Sequence, residues 1–476
     1  MRISKIKINN FRCFKNIELK FGHKATVLFG KNGSGKSTVI NALHKALSFI
    51  MYSDKIYHKT KSGNKTKKKL ITNHTITQNN PYLKVEGFSK IGDFNNTNDP
   101  IIEIRAEAIL SEDKTLKWNM SAYTTNNRLR TSEFREAFRS FYDWHKKTDN
   151  LPLLAYYSDC FPHKEDNKKI TVKKQISGLR NFAYFDWNAV EGCTKEWLKR
   201  LEDNILAIQQ DKIRILKLNE IIEASDEPKP SDIALINLLQ EKIKIQQAEL
   251  DFVEGKLVQF SNCITINEND SFEIKGICVN ISEKRLSILN NKGNEIPFIY
   301  LPAGYKRLYS IVLDLAFRSF ILNGEGADET AGIAIIDEID LHLHPELENI
   351  VLSKLMGVFP YIQFIVSTHS INVLTNLSTN DEKNIIIKMP QLHDSNFEPD
   401  YKIDIYGIDP STGMQEIMDV SKTAEELQTM IDRVAYMRKM GYAENADNLK
   451  NFIIDKNLIS VEELENRIES KEKRIN

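Results

Sequence analysis

The segment best equipped for chemistry is Gly30-Lys31-Asn32-Gly33-Ser34-Gly35-Lys36-Ser37. It fits G-x-x-x-x-G-K-S, in which glycines let successive backbone N–H groups curl around a phosphate. In that pattern Lys36 reaches the β- and γ-phosphates, and the Ser37 hydroxyl is a ligand for Mg²⁺. Asn32, Gly33, Ser34, Gly35 and Thr38 complete the expected cradle. A second run, Ile333-Ala-Ile-Ile-Asp337-Glu338, ends an apolar stretch in two carboxylates. Asp337 suits the Mg²⁺ shell, and Glu338 suits the orientation and deprotonation of an attacking water. A third run, Ile365-Val-Ser-Thr-His369, ends in one imidazole. His369 is placed to sense the γ-phosphate and polarise the same water. Together these imply binding and hydrolysis of ATP with Mg²⁺, with Glu338, His369 and Lys36 as the catalytic set.

Such groups must be carried to one edge of a sheet. Residues 2–8 alternate as a half-buried strand does, and residues 25–29, 152–157, 332–336, 362–366 and 384–388 are mostly apolar, as buried strands are. Further strands fit 16–20, 101–110 and 115–122, and helices fit 36–50, 132–145 and 304–322. Short apolar strands alternating with helices predict an α/β fold with a mainly parallel sheet. Residues 58–69 are basic, polar and aperiodic, and read as a mobile loop. Residues 272–279 and 284–290 are expected to form a hairpin around Asn290-Asn-Lys-Gly293, a turn signal.

Residues 194–262 differ in kind. Apolar residues recur at 3-4 spacing from Leu198 to Ile222 and again from Ile236 to Phe260, around a Pro-rich turn. This predicts an antiparallel helical hairpin with arms about 40–45 Å long. Ser231 is the expected cap of its second helix. Packing on the body and an extended arm are the two readings of this hairpin. From about 421 the tail is helical, with a capping box at Thr423-Ala-Glu-Glu426, a face of Leu427, Met430, Ile431, Val434 and Met437, and Ser460 capping a last helix.

Lys+Arg and Asp+Glu both total 65, but they are segregated: residues 1–70 hold 17 basic and 2 acidic, residues 323–476 hold 14 and 28. The balance excludes a polycation, while the basic end suggests contact with phosphate. Mutual neutralisation of the two ends is the alternative. Five scattered cysteines with no C-x-x-C pair make a zinc site or disulfide framework unexpected. With neither a long apolar run nor a signal-like start, a cytoplasmic protein with no membrane partner is expected.

The order and spacing of the three motifs resemble those of the ABC-type ATPases of the SMC/RecF/OLD group. The likeness covers about 1–60 and 295–390. It implies a P-loop ABC-type head with an antiparallel N-terminal sheet, a helical-hairpin insertion and a C-terminal helical region. The corresponding divisions are 1–193, 194–262, 263–400 and 401–476. Asn10-Phe11-Arg12-Cys13-Phe14 resembles the group's N-terminal motif, which puts Arg12 near the phosphates. Asp337-Glu-Ile-Asp-Leu-His-Leu-His-Pro345 resembles its D-E-P-E-x-H-L-H-P run, with Asp340 in the D-loop at a dimer interface. The same likeness makes His342 and His344 structural rather than metal ligands.

Leu301-Pro-Ala-Gly-Tyr-Lys-Arg307 is the best match to the group's signature, whose loop closes on the γ-phosphate of a second subunit. Ala303, Gly304, Tyr305 and Lys306 would act there in trans, giving two sites per head-to-tail homodimer, or a higher oligomer. Pro302 replaces the usual serine, so slow hydrolysis is expected. Gln78 is one candidate for the Q-loop.

Leu151-Pro-Leu-Leu-Ala-Tyr-Tyr157, Phe182-Ala-Tyr-Phe-Asp-Trp187 and the helical tail resemble more closely the PtuA family, the ATPases of Septu and some retron anti-phage systems. That likeness implies a PtuB-like HNH endonuclease partner at the C-terminal helices, and DNA, or retron RNA/DNA, as nucleic-acid target. The alternative is an SMC/RecF-like DNA-repair ATPase with no nuclease partner. An OLD-like enzyme with its own Toprim nuclease is argued against, since the 86 residues after 390 hold no D-x-D.

Overall fold

The structure is a computed structural model. It describes residues 1–62, 65–76, 83–89, 92–94, 101–123, 128–159, 180–187, 194–224, 229–264, 273–280, 285–379, 383–389, 399–402, 405–418, 425–455 and 459–472. The chain forms two compact units, Met1–Gly407 and Ile408–Asn476.

A six-stranded sheet is the centre of the first unit. Its order is Asp400–Lys402, Asn384–Lys388, Ala25–Phe29, Ile362–Thr368, Gly332–Ile336, Leu153–Tyr157. All neighbours run parallel except the edge strand Asp400–Lys402. Parallel strands are buried on both faces and so read as unbroken apolar runs. Four of them are buried at every residue. Because the strands run the same way, residues Gly30, Asp337 and His369, each just past a strand end, reach one edge. Ligands bind at that C-terminal edge in open parallel sheets.

A four-stranded antiparallel sheet, ordered Phe14–Lys20, Arg2–Phe11, Ile101–Ser111, Lys114–Tyr123, lies beside it. Here one face is buried, and the strands alternate inward and outward residues accordingly. Buried Gln363 ties the two sheets together: its Oε1 accepts from the Ile3 amide at 2.8 Å, and its Nε2 donates to the carbonyls of Ile3 and Gly22 at 2.8 and 2.6 Å. The fold is therefore α/β with a mainly parallel core and an antiparallel N-terminal sheet, as expected.

Two expectations need correction. Residues 58–62 and 65–69 are strand rather than loop: Asp54–Ser62 pairs antiparallel with Lys65–His74 in a separate two-stranded ribbon. Lysine-rich strands show no hydrophobic alternation, so periodicity gave no signal there. Ser231 is not the cap, because the second hairpin helix already begins at Pro230.

The helical hairpin comprises Thr194–Glu223 and Pro230–Ile264. Its arms are joined by Arg200–Glu249 (2.5 Å) and Lys242–Asp211 (2.6 Å), where polar residues break the apolar seam. The base is packed on the body. Fully buried Trp197 stacks on Phe317 at 5.1 Å, and Lys256 Nζ donates to the Val358 carbonyl at 3.0 Å. The far half exposes Leu216 (63%) and Leu238 (67%). The hairpin is thus a packed subdomain at one end and an arm at the other.

In the second unit, Glu425–Lys439, Ala443–Asp455 and Val461–Glu472 enclose Ile431, Val434, Ala435, Ala446, Ile453, Leu464 and Ile468. Ser460 caps the last helix, its Oγ accepting from the Glu463 amide at 3.3 Å. The expected capping box at Thr423 and the Q-loop candidate Gln78 lie outside the described residues.

Candidate active site

The loop after strand Ala25–Phe29 is held in a shape that most residues resist. Gly35 has φ +94°, and a Cβ there would lie 2.3 Å from the Phe14 ring. Only glycine meets both demands. The loop feeds the helix Lys36–Leu47, whose N-terminal N–H groups and dipole favour an anion. Lys36 is buried, and its Nζ donates to the carbonyls of Gly30 (2.8 Å) and Lys31 (3.3 Å). Burial pulls the Lys36 ammonium below its usual range, while the carboxylates of Asp337, Glu338 and Asp340 act in the opposite direction.

A cavity of about 430 Å³ opens here, lined by Cys13, residues 32–38, Asp337, Glu338 and His369. Three motifs far apart in sequence thus share one space. Asp337 is buried, and its Oδ1 accepts from the Ser367 hydroxyl at 2.5 Å. The same hydroxyl accepts from the Glu338 amide at 2.8 Å. Glu338 has φ +52°, a strained conformation for a glutamate that turns the chain sharply at the sheet edge.

Ser34 Oγ is buried and, among the described residues, has no hydrogen-bond partner. A buried hydroxyl left unmatched costs about 1–3 kcal/mol, which a phosphate oxygen in the cradle would recover. The donor set therefore fits a nucleotide phosphate. The exposed Ser37 hydroxyl and the Asp337 carboxylate fit Mg²⁺, a hard cation that takes oxygen ligands.

Other expected site residues lie elsewhere. Arg12, at φ +51°, donates from Nε to Asp93 Oδ1 at 3.1 Å and does not line the cavity. Asp340 accepts from Thr368 Oγ1 (2.5 Å) and from the His369 amide (3.3 Å), so within its own chain it holds the His369 turn. His344 caps the short helix Pro345–Glu348, accepting from the Glu346 amide at 3.4 Å. Ala303, Gly304, Tyr305 and Lys306 open the helix Ala303–Asn323 and also lie outside the cavity. A Cβ on Gly304 would come 2.6 Å from the His342 carbonyl oxygen, so this glycine has a packing reason of its own.

Arg307, Ser367, Asp314 and Tyr157 were not singled out by their sequence. Arg307 is fully buried. Its Nη2 donates to the carbonyls of Asp337 (2.7 Å) and Glu338 (3.2 Å), and its Nη1 to those of Ser158 (3.2 Å) and Asp159 (3.4 Å). Asp314 accepts from Arg318 Nε (2.7 Å), Tyr157 hydroxyl (2.7 Å) and Trp197 Nε1 (2.5 Å). Their spacing is a signal in the sequence: Arg307, Asp314 and Arg318 recur at 7 and 4 residues in a helix that is otherwise mostly apolar. Charges on a buried face must be paired.

The AAA ATPase domain family matches residues 1–374 of this chain. The chain belongs to that family. Within the AAA ATPase domain the match spans all three motifs that line the cavity. The chain is 27% identical over 407 residues to the "Retron Vc95 probable ATPase" of Vibrio cholerae serotype O1 biovar El Tor, covering 80% of this chain and 73% of the relative. It is 24% identical over 135 residues to the "Septu protein PtuA" of Bacillus thuringiensis, covering 25% of this chain and 34% of that one. Among solved structures, the SmcHead bound to the C-winged helix domain of ScpA aligns at a TM-score of 0.44 and 13% identity, over 85% of this chain and 98% of the other. The resemblance to retron and Septu ATPases is borne out by these relatives. No described helix is long and apolar enough to cross a membrane.

Proposed function

We propose that this chain is the ATP-hydrolysing subunit of an anti-phage defence complex, dimerises on nucleotide and controls a partner HNH nuclease. The observation that carries the reading is the one cavity shared by the phosphate loop, the Asp337–Glu338 pair and His369. A P-loop hydrolase works by positioning and charge stabilisation, and these are its parts. Ser37 and Asp337 would hold Mg²⁺, which when bound neutralises phosphate charge. Lys36 leaves the Gly30 carbonyl for the phosphates. Glu338 accepts a proton from the attacking water, and His369 orients that water. Pro302 offers no hydroxyl to the γ-phosphate, which supports slow turnover.

The segment Ala303–Lys306 lies outside its own chain's cavity, which supports a head-to-tail homodimer, or a higher oligomer, in which each copy completes the other's site. Asp340 and Arg12 would contribute near that junction. The names of the retron and PtuA relatives support the defence role, with DNA or retron RNA/DNA as target. The nuclease is assigned to the C-terminal unit, which exposes Tyr436 (52%), Met440 (48%) and Tyr442 (60%). Aromatic and Met side chains are enriched at interfaces. The acidic excess of residues 323–476 lies mostly outside that unit and lends the assignment little support. Residues 408–476 hold 10 basic and 14 acidic residues, whereas residues 323–407 hold 4 and 14.

The test is Glu338→Gln with ATP, followed by light scattering. A dimer retained with ATP supports the reading, and a chain that stays as dispersed as without nucleotide sinks it. The nuclease part is tested by co-purification with the product of a neighbouring HNH gene. ATP-driven DNA-end binding with no nuclease bound would favour the repair reading instead.

A further inference from the structure

The ribbon Asp54–Ser62/Lys65–His74 has no part in the ATP cavity, yet its root is firmly built. Buried Asp54 is held by Arg139 at 2.6 Å, and His74 stacks on Tyr142 at 4.8 Å, both partners lying on the helix Ser132–Thr148. Beyond the root its composition is extreme. Lysine occupies seven positions (55, 59, 61, 65, 67, 68 and 69), and no Asp or Glu occurs from 55 to 85.

The pairing register distributes this charge. Lys59 lies opposite Lys68 and Lys61 opposite Thr66, while His58, Thr60 and Ser62 lie opposite Lys69, Lys67 and Lys65. Directly opposed residues share a face and successive pairs alternate faces. One face therefore carries positions 59, 61 and 68, and the other carries 65, 67 and 69. Like charges placed opposite each other destabilise a sheet, and an isolated two-stranded ribbon is marginal to begin with. A polyanion would remove that repulsion. Lysine on both faces needs negative charge on two sides, which a flat anionic surface does not supply and a groove walled by phosphates does.

We propose that this ribbon enters the major groove of duplex DNA and holds the phosphates on either side without reading sequence. That groove, about 12 Å wide, admits a two-stranded ribbon, whereas the major groove of A-form RNA is too narrow. The lysine-bearing pairs, residues 58–62 against 65–69, span roughly 16 Å, about half a duplex turn. Lysine is a point charge suited to phosphate rather than to paired contacts with base edges. The proposal gives a surface to the nucleic-acid partner of the reading above. It fails separately from that reading, because ATP binding and dimerisation are measured on the same samples.

The experiment is salt-dependent binding of the full chain to a fluorescent DNA duplex of random sequence. Two triple variants are compared, K59S/K61S/K68S and K65S/K67S/K69S. Each should weaken binding and flatten the salt dependence. Three lost phosphate contacts correspond to about a 40-fold smaller fall in affinity between 50 and 200 mM salt. The matching Lys→Arg triples should bind as the unaltered chain does, which separates charge loss from misfolding. Unchanged affinity and slope in both Ser triples would overturn the proposal. So would an effect confined to one face, tighter binding to duplex RNA, or equal binding to vesicles of anionic lipid.

Discussion

Arg307 and Asp337 are joined by a buried bond from Nη2 to the main-chain carbonyl, 2.7 Å long. The same nitrogen reaches the Glu338 carbonyl, so one guanidinium on the helix Ala303–Asn323 fixes the backbone that carries both cavity-lining carboxylates. Arg307 is a positioning residue in this arrangement, acting through Glu338 rather than on a phosphate. Gly304, three residues earlier, packs against His342 just beyond the same turn. The N-terminal part of this helix is thus built onto the Asp337–His342 segment of its own chain.

Arg307→Lys keeps charge but loses the planar fork that serves several carbonyls at once. It should lower the ATP turnover rate at least tenfold while nucleotide affinity changes little. Steady-state kinetics beside fluorescent-nucleotide binding would separate the two. Equal loss of affinity and rate would make Arg307 a purely structural residue. Arg307→Met should also destabilise the fold, since buried carbonyls left unpaired cost about 1–3 kcal/mol each.

Lys36→Ala should reduce nucleotide affinity by at least a hundredfold without lowering the melting temperature. Among the described residues Nζ bonds only loop carbonyls, and burial disfavours its charge. Calorimetric titration with ATP and a thermal melt together check both halves of this expectation.

Gly304→Ala should destabilise the chain even without nucleotide, because its Cβ would meet a backbone oxygen at 2.6 Å. Overpacking of this kind costs roughly 1–3 kcal/mol. A melt of the nucleotide-free protein measures it. An unchanged melt with lost turnover would instead assign the glycine wholly to contact across a dimer.

Glu465 gives the second unit a pH dependence. Hydrogen bonds from Arg438 and then Lys450 hold its carboxyl down at about 2. The folded value lies below the unfolded one. Its stabilisation is therefore present above about pH 4.5 and is lost as pH falls through about 2. Denaturant unfolding of the full chain should distinguish Glu465→Gln from the unaltered protein at pH 6, with the difference vanishing near pH 2. A constant difference would show that the ion pairs carry none of it.

Residue type and short-range spacing by themselves determined the phosphate loop, the strand-borne Asp337–Glu338 and His369, the core strands and the two long helices. Each is a contiguous pattern whose meaning depends on chain geometry alone: period 2, period 3.6, or glycine where a turn demands it. Tertiary structure decided what those patterns could not. More than 290 residues separate Lys36 from Asp337, and only the parallel sheet puts them in one cavity. Burial gave Arg307 and Asp314 their partners, because a charge inside the protein must find counter-groups wherever the fold brings them. Arg12 pairs with Asp93, a carboxylate 81 residues away that only the fold brings beside it. The lysine ribbon is the sharpest case. No local period marks it, since strand pairing is a relation between two segments and becomes visible only when both are in place.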